Sequence, residues 1–273
     1  MKKPITLIAT DLDGTFLNSN KEVSELNREM IHRLKEKGIL FGICSGRQFE
    51  TVRPLVQEWG IEDSVSFIVG MNGGGLYDLR RKEKEEYHLI SGKDALEVFH
   101  FFQDLPVDCF VEIGTVKFTS KSTPETRAQA EMYGNFEIET DLNELLKARD
   151  VNKLLMYFDE KNRPLVEQRA KLFYNDHLVG INSGTGFFEY QDPRVNKGFG
   201  IERLAKHYGT SIEHIMVFGD APNDLEMLEK AGWSVCMKNG KEECKRVSND
   251  ITDYTNDESG VGHYIKKMIF EEE

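Results

Sequence analysis

From Ile5 to Gly70 the chain alternates short apolar runs with amphipathic stretches, and this alternation leaves few folds open to it. Ile5–Thr10, Ile39–Cys44 and Ser66–Gly70 each read as a buried strand, being apolar, rich in β-branched residues and bounded by turn residues. Between the first two, Ser24 can cap a helix over Glu25–Lys37. Leu26, Met30, Ile31 and Leu34 fall at helical spacing there, and Gly38 ends it. A second helix, with Pro54 early in it or at a break, closes at Trp59-Gly60. Strand, helix, strand, helix, strand predicts an α/β fold with a doubly wound parallel sheet.

The pattern then changes and later resumes. Leu76–Asp78 and Glu86–Leu89 flank the charge run Arg80–Glu85, which predicts a small hairpin with a solvated tip and no binding role. Beyond it strands come in pairs. Val107–Ile113 and Val116–Ser120 flank Gly114-Thr115, and Leu178–Asn182 and Gly186–Tyr190 flank another glycine-containing turn. Helices over Pro124–Tyr133 and Arg163–Tyr174 and a strand over Asn152–Phe158 complete an inserted α+β domain with an antiparallel sheet. Phe99, Phe101 and Phe102 supply its core. After it come a helix over Gly198–Tyr208, a strand over Ile215–Phe218 and a helix opened by Pro222. A strand over Trp233–Met237 and a last helix over Gly260–Phe270 follow, with Glu271–Glu273 as a frayed tail. The expected division is a core of residues 1–84 and 190–273 and an insert of residues 85–189.

The totals narrow the function. A net charge of -12 argues against a general nucleic-acid binder, which needs a basic surface, but leaves room for small phosphorylated ligands at a local positive site. No apolar run approaches the roughly 18 residues of a membrane span, and no signal-peptide apolar region follows Met1-Lys2-Lys3. The expected place is therefore the cytoplasm, as a monomer or small homo-oligomer with no membrane or nucleic-acid partner. Cys44, Cys109, Cys236 and Cys244 lack CxxC spacing, which fits structural thiols in a reducing compartment better than zinc. The seven histidines show no ligand spacing and read as surface or packing residues.

In an open parallel sheet, ligands bind beyond the carboxyl ends of the strands. Four polar segments fall there: Asp11-Leu12-Asp13-Gly14-Thr15, Ser45-Gly46-Arg47, Val195-Asn196-Lys197-Gly198 and Gly219-Asp220-Ala221-Pro222-Asn223-Asp224. Asp11 and Asp13, two apart on an extended chain, point the same way, and two such carboxylates repel unless a cation or proton relieves them. Each segment has a plain reading as well. Asp13-Gly14 can be a turn, Ser45-Gly46 a helix cap and Lys197 an exposed lysine at a helix start. Asp220 and Asp224 can simply favour the positive end of the next helix. Their joint placement at successive strand ends is what those readings leave unexplained. Gly73-Gly74-Gly75 lacks the Lys-Ser/Thr of a phosphate-binding P-loop and reads as a flexible turn.

The DxDGT, SGR, NKG and GDxxND segments, all present in full, resemble the haloacid dehalogenase-like hydrolase superfamily and its Cof-type phosphatases in particular. The likeness covers essentially the whole chain, including the position and size of the insert. It implies a Rossmann-like core, an α/β cap, Mg2+ and hydrolysis of small phosphorylated metabolites such as sugar phosphates or nucleotide-related phosphates. It implies Asp11 as nucleophile, forming an aspartyl-phosphate, and Asp13 as acid and then base. The metal ligands would be the Asp11 carboxylate, the Asp13 main-chain carbonyl and Asp220, with Asp224 orienting a bound water or Lys197. The Leu12 and Gly46 amides, Ser45 and Asn223 would hold phosphate oxygens, and Lys197 would balance charge. Arg47 and Asn72 are candidates for contact with substrate, as are Glu112, Lys117 and Glu189 in the cap strands. The cap is expected to close over the strand ends and exclude water. An aspartate at position 13 disfavours the superfamily's transport ATPases, which carry threonine at the matching place. The Asp220 and Asp224 carboxylates favour phosphoryl transfer over the metal-independent dehalogenases. A phosphomutase and a non-catalytic phosphometabolite-binding regulator are the alternatives.

Overall fold

The apolar runs become strands buried on both faces, and this forces the rest of the architecture. Leu7, Ile8 and Ala9 are 1% exposed or less, so helices must cover both sides of the sheet that holds them. The computed structural model describes residues 4–271, so Met1–Lys3 and the last two residues of the expected tail, Glu272 and Glu273, lie outside them. The chain divides into two compact units, one of residues 1–86 and 196–273 and one of Tyr87–Val195.

In chain order the first unit opens with β1 (Leu7–Thr10), α1 (Glu25–Glu36), β2 (Leu40–Cys44), α2 (Phe49–Glu58), β3 (Val65–Gly70), β4 (Gly75–Asp78) and β5 (Glu83–Glu86). The second unit carries α3 (Gly92–Phe102), β6 (Asp108–Ile113), β7 (Val116–Thr119), α4 (Pro124–Met132), β8 (Phe136–Glu139) and α5 (Leu142–Ala148). It continues with β9 (Lys153–Tyr157), α6 (Arg163–Ala170), β10 (Val179–Gly184) and β11 (Phe187–Gln191). The chain returns to the first unit with α7 (Lys197–Tyr208), β12 (Ile215–Gly219), α8 (Leu225–Lys230), β13 (Trp233–Cys236), α9 (Glu242–Val247), β14 (Asp250–Ile251) and α10 (Gly260–Ile265).

The first unit's sheet runs β14-β13-β12-β1-β2-β3-β4-β5, parallel from β14 to β3, with β4 and β5 added antiparallel. β1 therefore sits between β12 and β2, with Thr10 level with Phe218 on one side and Ile43 on the other. The carboxyl ends of these three strands are neighbours, so the polar residues that follow them are brought together. The core beneath is built from Ile8, Met30, Ile31, Phe41, Val52, Phe218, Val261 and their neighbours. Cys44, Cys109, Cys236 and Cys244 are all reduced and buried.

The second unit's sheet, β10-β11-β9-β6-β7-β8, is antiparallel except between β7 and β8. The expected phenylalanine core is present: Phe99 and Phe102 pack with Leu154, Met156 and Tyr190. The strand β8 and helix α5 were not anticipated. β8 has no buried residue, so its four residues carry no apolar run to announce it. The crossing back to the first unit falls at Asn196 rather than at 190, because Gln191 Nε2 donates to Val195 O and holds that turn with β11.

The hairpin register differs from the expectation. Only the first half of the charge run is the tip: Arg80–Lys82 make the turn, and Glu83–Glu86 is itself the outer strand, paired so that Asp78 faces Glu83 and Gly75 faces Glu86. An exposed edge strand made of charges resists pairing with another chain, and the periodicity of a buried strand is absent from it. The run also has partners. Lys84 pairs with Glu50 at 3.1 Å, and Glu85 Oε1 lies 2.9 Å from His207 Nδ1.

His207, on α7, is not a simple packing residue. Its other nitrogen, Nε2, lies 2.9 Å from Asp78 Oδ2, and Asp78 is fully buried. Burial opposes charge on the imidazole, but the Asp78 and Glu85 carboxylates outweigh it and raise the His207 pKa above its ordinary 6.5. A raised folded-state pKa means that this stabilisation is fully present below 6.5 and fades as pH rises through the folded value. His207→Gln is therefore expected to lower stability by about 1–3 kcal/mol near pH 6. Its deficit should narrow by pH 9, and thermal melts of both proteins at the two pH values would show a constant gap if the imidazolium is unimportant.

Candidate active site

The cluster begins where β1 stops. Asp11 donates its backbone N–H to Phe218 O at 3.0 Å, which extends the ladder by one residue and fixes the carboxylate at the strand end. After it, Leu12 O accepts from the amides of Phe16 (3.1 Å) and Leu17 (2.9 Å), so the chain turns tightly. Gly14 makes that turn with φ at +84°, and a Cβ there would lie 2.6 Å from Asp220 Oδ2. Thr15 Oγ1 donates to Asp220 Oδ1 at 2.6 Å, so the turn after β1 also orients the carboxylate that follows β12.

Lys197, the first residue of α7, is fully buried. Its Nζ lies 2.6 Å from Asp11 Oδ1 and 2.6 Å from Asp224 Oδ1. Asp224 Oδ2 accepts the backbone amides of Asp220 (2.9 Å) and Ala221 (3.0 Å), so Asp224 shapes the loop after β12 as well as holding the lysine. Ligand atoms of Asp11, Asp220 and Asp224 all lie within 4.8 Å of one another. Two carboxylates thus share one ammonium with a third carboxylate beside them, and the site is short of positive charge. The electrostatics follow. Burial pushes the Asp11 carboxyl up to about 7 against the pull of Lys197, with Asp224 and Asp220 adding to the rise. Burial likewise pushes Asp220 up to about 6, opposed by its bond from Thr15. Burial would lower Lys197, but Asp11 and Asp224 outweigh it and keep the ammonium charged. An all-oxygen donor set with a deficit of positive charge fits a hard dication.

Asp13 is held separately. Arg47 Nη2 reaches its Oδ1 at 3.0 Å and Oδ2 at 2.9 Å, and Lys21 Nζ reaches Oδ1 at 2.7 Å. Burial alone would raise its pKa, but Arg47 and Lys21 together hold it below the usual carboxylate range. Ser45 follows β2, is buried, and accepts the Arg47 amide on its Oγ at 3.2 Å. Asn72 donates its amide to Ser45 O at 3.0 Å, and its Oδ1 lies 3.0 Å from where a Cβ on Gly46 would stand. Asn72 therefore lines the same strand ends. The glycine run beside it is not a slack turn. Gly73 has φ at +99°, and a Cβ there would lie 2.2 Å from Asn196 O, so only glycine admits the approach of the segment leading into Lys197. Leu12 is buried and Asn223 is exposed, both in loops that follow these strands.

The three candidates in the second unit are each engaged within it. Lys117 is fully buried, with Nζ 2.7 Å from Asp108 and 3.0 Å from Glu137. Glu189 pairs with Lys153 at 2.8 Å, both buried. Glu112 Oε1 accepts from Asn135 Nδ2 at 2.6 Å. Lys117 on β7 bridges β6 and β8, and Glu189 on β11 pairs with β9, contacts that a polar residue in a strand does not reveal by itself. The residue that sequence reasoning passed over is Lys21, which lies in a polar run with no apolar period to mark it.

No helix among the described residues is long and apolar enough to cross a membrane. The sequence matches the haloacid dehalogenase-like hydrolase family over residues 8–265. It is 28% identical to Phosphatase YwpJ of Bacillus subtilis over 96% of this chain and 99% of that protein. It is also 28% identical to 5-amino-6-(5-phospho-D-ribitylamino)uracil phosphatase YwtE of the same organism, over 96% and 97%. The fold superposes on a solved haloacid dehalogenase-like hydrolase from Bacteroides thetaiotaomicron with a TM-score of 0.87 at 28% identity, covering 97% of this chain and 100% of the other. With the family matched across nearly the whole chain and its relatives named phosphatases, the chain belongs to the haloacid dehalogenase-like hydrolase family, as an enzyme of the phosphatase type.

Proposed function

We propose that the protein is a Mg2+-dependent phosphatase of small phosphorylated metabolites that works through an aspartyl-phosphate on Asp11. The observation that carries the reading is the buried Lys197 ammonium shared by Asp11 and Asp224 beside Asp220. In such a site Lys197 favours the ionised form of Asp11 against its burial and aims it, and the remaining deficit of positive charge leaves room for a phosphate and a dication to enter. The Asp11 and Asp220 carboxylates and the Asp13 carbonyl would hold the ion. When bound, it supplies neutralisation of the charge on the phosphoryl oxygens and the attacking carboxylate.

The residues then divide the work. A carboxylate oxygen of Asp11 attacks phosphorus, the bond from phosphorus to the leaving oxygen breaks, and Asp13, having first taken up a proton against the pull of Arg47 and Lys21, gives it to that oxygen. In the second half a water attacks the phosphorus of the acyl phosphate, Asp13 takes the water's proton, and the bond to Asp11 breaks to release phosphate. Lys197 stays charged throughout and offsets the charge on Asp11 and the phosphoryl group. Ser45, Asn223 and the amides of Leu12 and Gly46 are the fixed donors for phosphate oxygens, whose stabilisation at developing charge is the largest contribution sites of this type make. Arg47 and Asn72 border this position. The substrate class, a phosphorylated small alcohol, draws support from the relative named as a ribitylaminouracil phosphatase.

The test is a panel of sugar, polyol and nucleoside monophosphates assayed for free phosphate. Release is expected with millimolar Mg2+ and should stop with EDTA and return when the metal is restored. Undiminished release after EDTA treatment would sink the metal dependence. Isomerised sugar phosphate without free phosphate would favour a mutase.

A further inference from the structure

The turn after β1 needs a brace that its own residues do not supply. Position 14 must be glycine, because φ is +84° and a Cβ would stand 2.6 Å from Asp220 Oδ2. Glycine is also the residue whose backbone turns most freely, so no side chain stiffens the peptide link between Gly14 and Thr15. Inside the turn that link is held by a long bond, Thr15 N to Leu12 O at 3.4 Å. The short bond comes from outside. Asn239, in the segment between β13 and α9, donates Nδ2 to Gly14 O at 2.7 Å.

Asn239 is itself aimed. Its Oδ1 accepts the Asn256 amide at 3.0 Å, so each end of the side-chain amide meets the only kind of partner it can use. Asn256 in turn donates Nδ2 to Leu17 O at 2.9 Å, in a buried bond. The segment that carries Asn239 also leans on the loop after β12, through Lys241 N to Asp220 O at 2.8 Å. The loops that follow β1, β12, β13 and β14 are thus tied together around Gly14.

We propose that Asn239 is a positioning residue for the divalent cation, an inference that rests on the Asp13 carbonyl and Asp220 being ligands of that ion. The braced link lies between the two. It follows the Asp13 carbonyl by one residue, and it leads into Thr15, whose Oγ1 donates to Asp220 Oδ1 at 2.6 Å. Asn239 is exposed, so water can replace its bond to Gly14 O at little cost to stability. Water does not hold a glycine peptide to one orientation. Mg2+ demands near-ideal octahedral geometry, so lost orientation registers as lost affinity, whereas Ca2+ accepts irregular sites.

The experiment follows thermal melts of the substrate-free wild type and Asn239→Ala over a range of Mg2+, and separately of Ca2+, at fixed ionic strength. The stabilisation by each ion gives its affinity, and the metal-free melts show that both proteins are folded. The substitution changes no charge, so long-range attraction for either ion is the same. Mg2+ is expected to bind about tenfold more weakly to the variant, at the lower end of what an outer partner is worth to a metal site. Ca2+ should weaken by less than about threefold. An equal fall for the two ions, or no fall for Mg2+, would overturn the proposal. Asp220→Asn is the separating control. If it leaves Mg2+ binding untouched, the assignment of the metal ligands is wrong. If it weakens Mg2+ and Asn239→Ala does not discriminate between the ions, only the Asn239 inference falls.

Discussion

An Asp11→Asn variant is expected to fold as the wild type does and to release phosphate at least about 10⁴-fold more slowly. The two side chains are nearly the same size, and the amide oxygen can still accept from Lys197. What the amide cannot do is attack phosphorus and carry the phosphoryl group. Removing one of three clustered carboxylates also relieves repulsion at a site where burial already pushes Asp11 up to about 7. The melting temperature should therefore hold or rise while activity vanishes. Phosphate release from p-nitrophenyl phosphate and a thermal melt on the same preparation read both effects. A folded variant that keeps even about a hundredth of the activity would rule Asp11 out as the nucleophile.

Much of this site could be read before the fold was known, for a topological reason. Parallel strands place their carboxyl ends side by side, so Asp11, Ser45 and Asp220, far apart in sequence, share one edge once β12, β1 and β2 are adjacent. Each announces itself by interrupting an apolar run. Side-chain pairing was not legible in the same way. A period of two says which face of β7 carries Lys117, but not that Asp108 and Glu137 wait on the neighbouring strands to bury its charge. His207 likewise meets Asp78, which lies 129 residues away. The contact of Lys21 with Asp13 escaped because the polar run Asn18–Glu22 shows only that a turn exists, not where it places its side chains. The outer hairpin strand was placed too late because Glu83–Glu86 buries nothing, and a strand with no buried face has no hydrophobic signal.

Lys197→Met tests whether the buried ammonium is held for chemistry, for stability, or for both. The methionine side chain fills nearly the same space, so the loss is one of charge. It strands Asp11 and Asp224 without the cation that each meets at 2.6 Å. Breaking a buried pair by removing one partner costs about 3–5 kcal/mol, because a charge stays behind without compensation. Burial already raises the Asp11 carboxyl, and without the pull of Lys197 it lies further above its unfolded value. The variant should therefore be weakest at high pH and recover as pH falls and Asp11 protonates. Activity should drop about 10³-fold or more, since Lys197 also offsets charge on the phosphoryl group. A second change separates the two roles. Adding Asp224→Asn removes one stranded charge while its amide oxygen can still accept the Asp220 and Ala221 amides. The double variant should regain most of the lost stability and none of the activity. If it regains activity as well, Lys197 acts only by keeping Asp224 buried. If it regains neither, the 2.6 Å contacts are not where the lysine's energy lies, and the electrostatic account of the site fails with them.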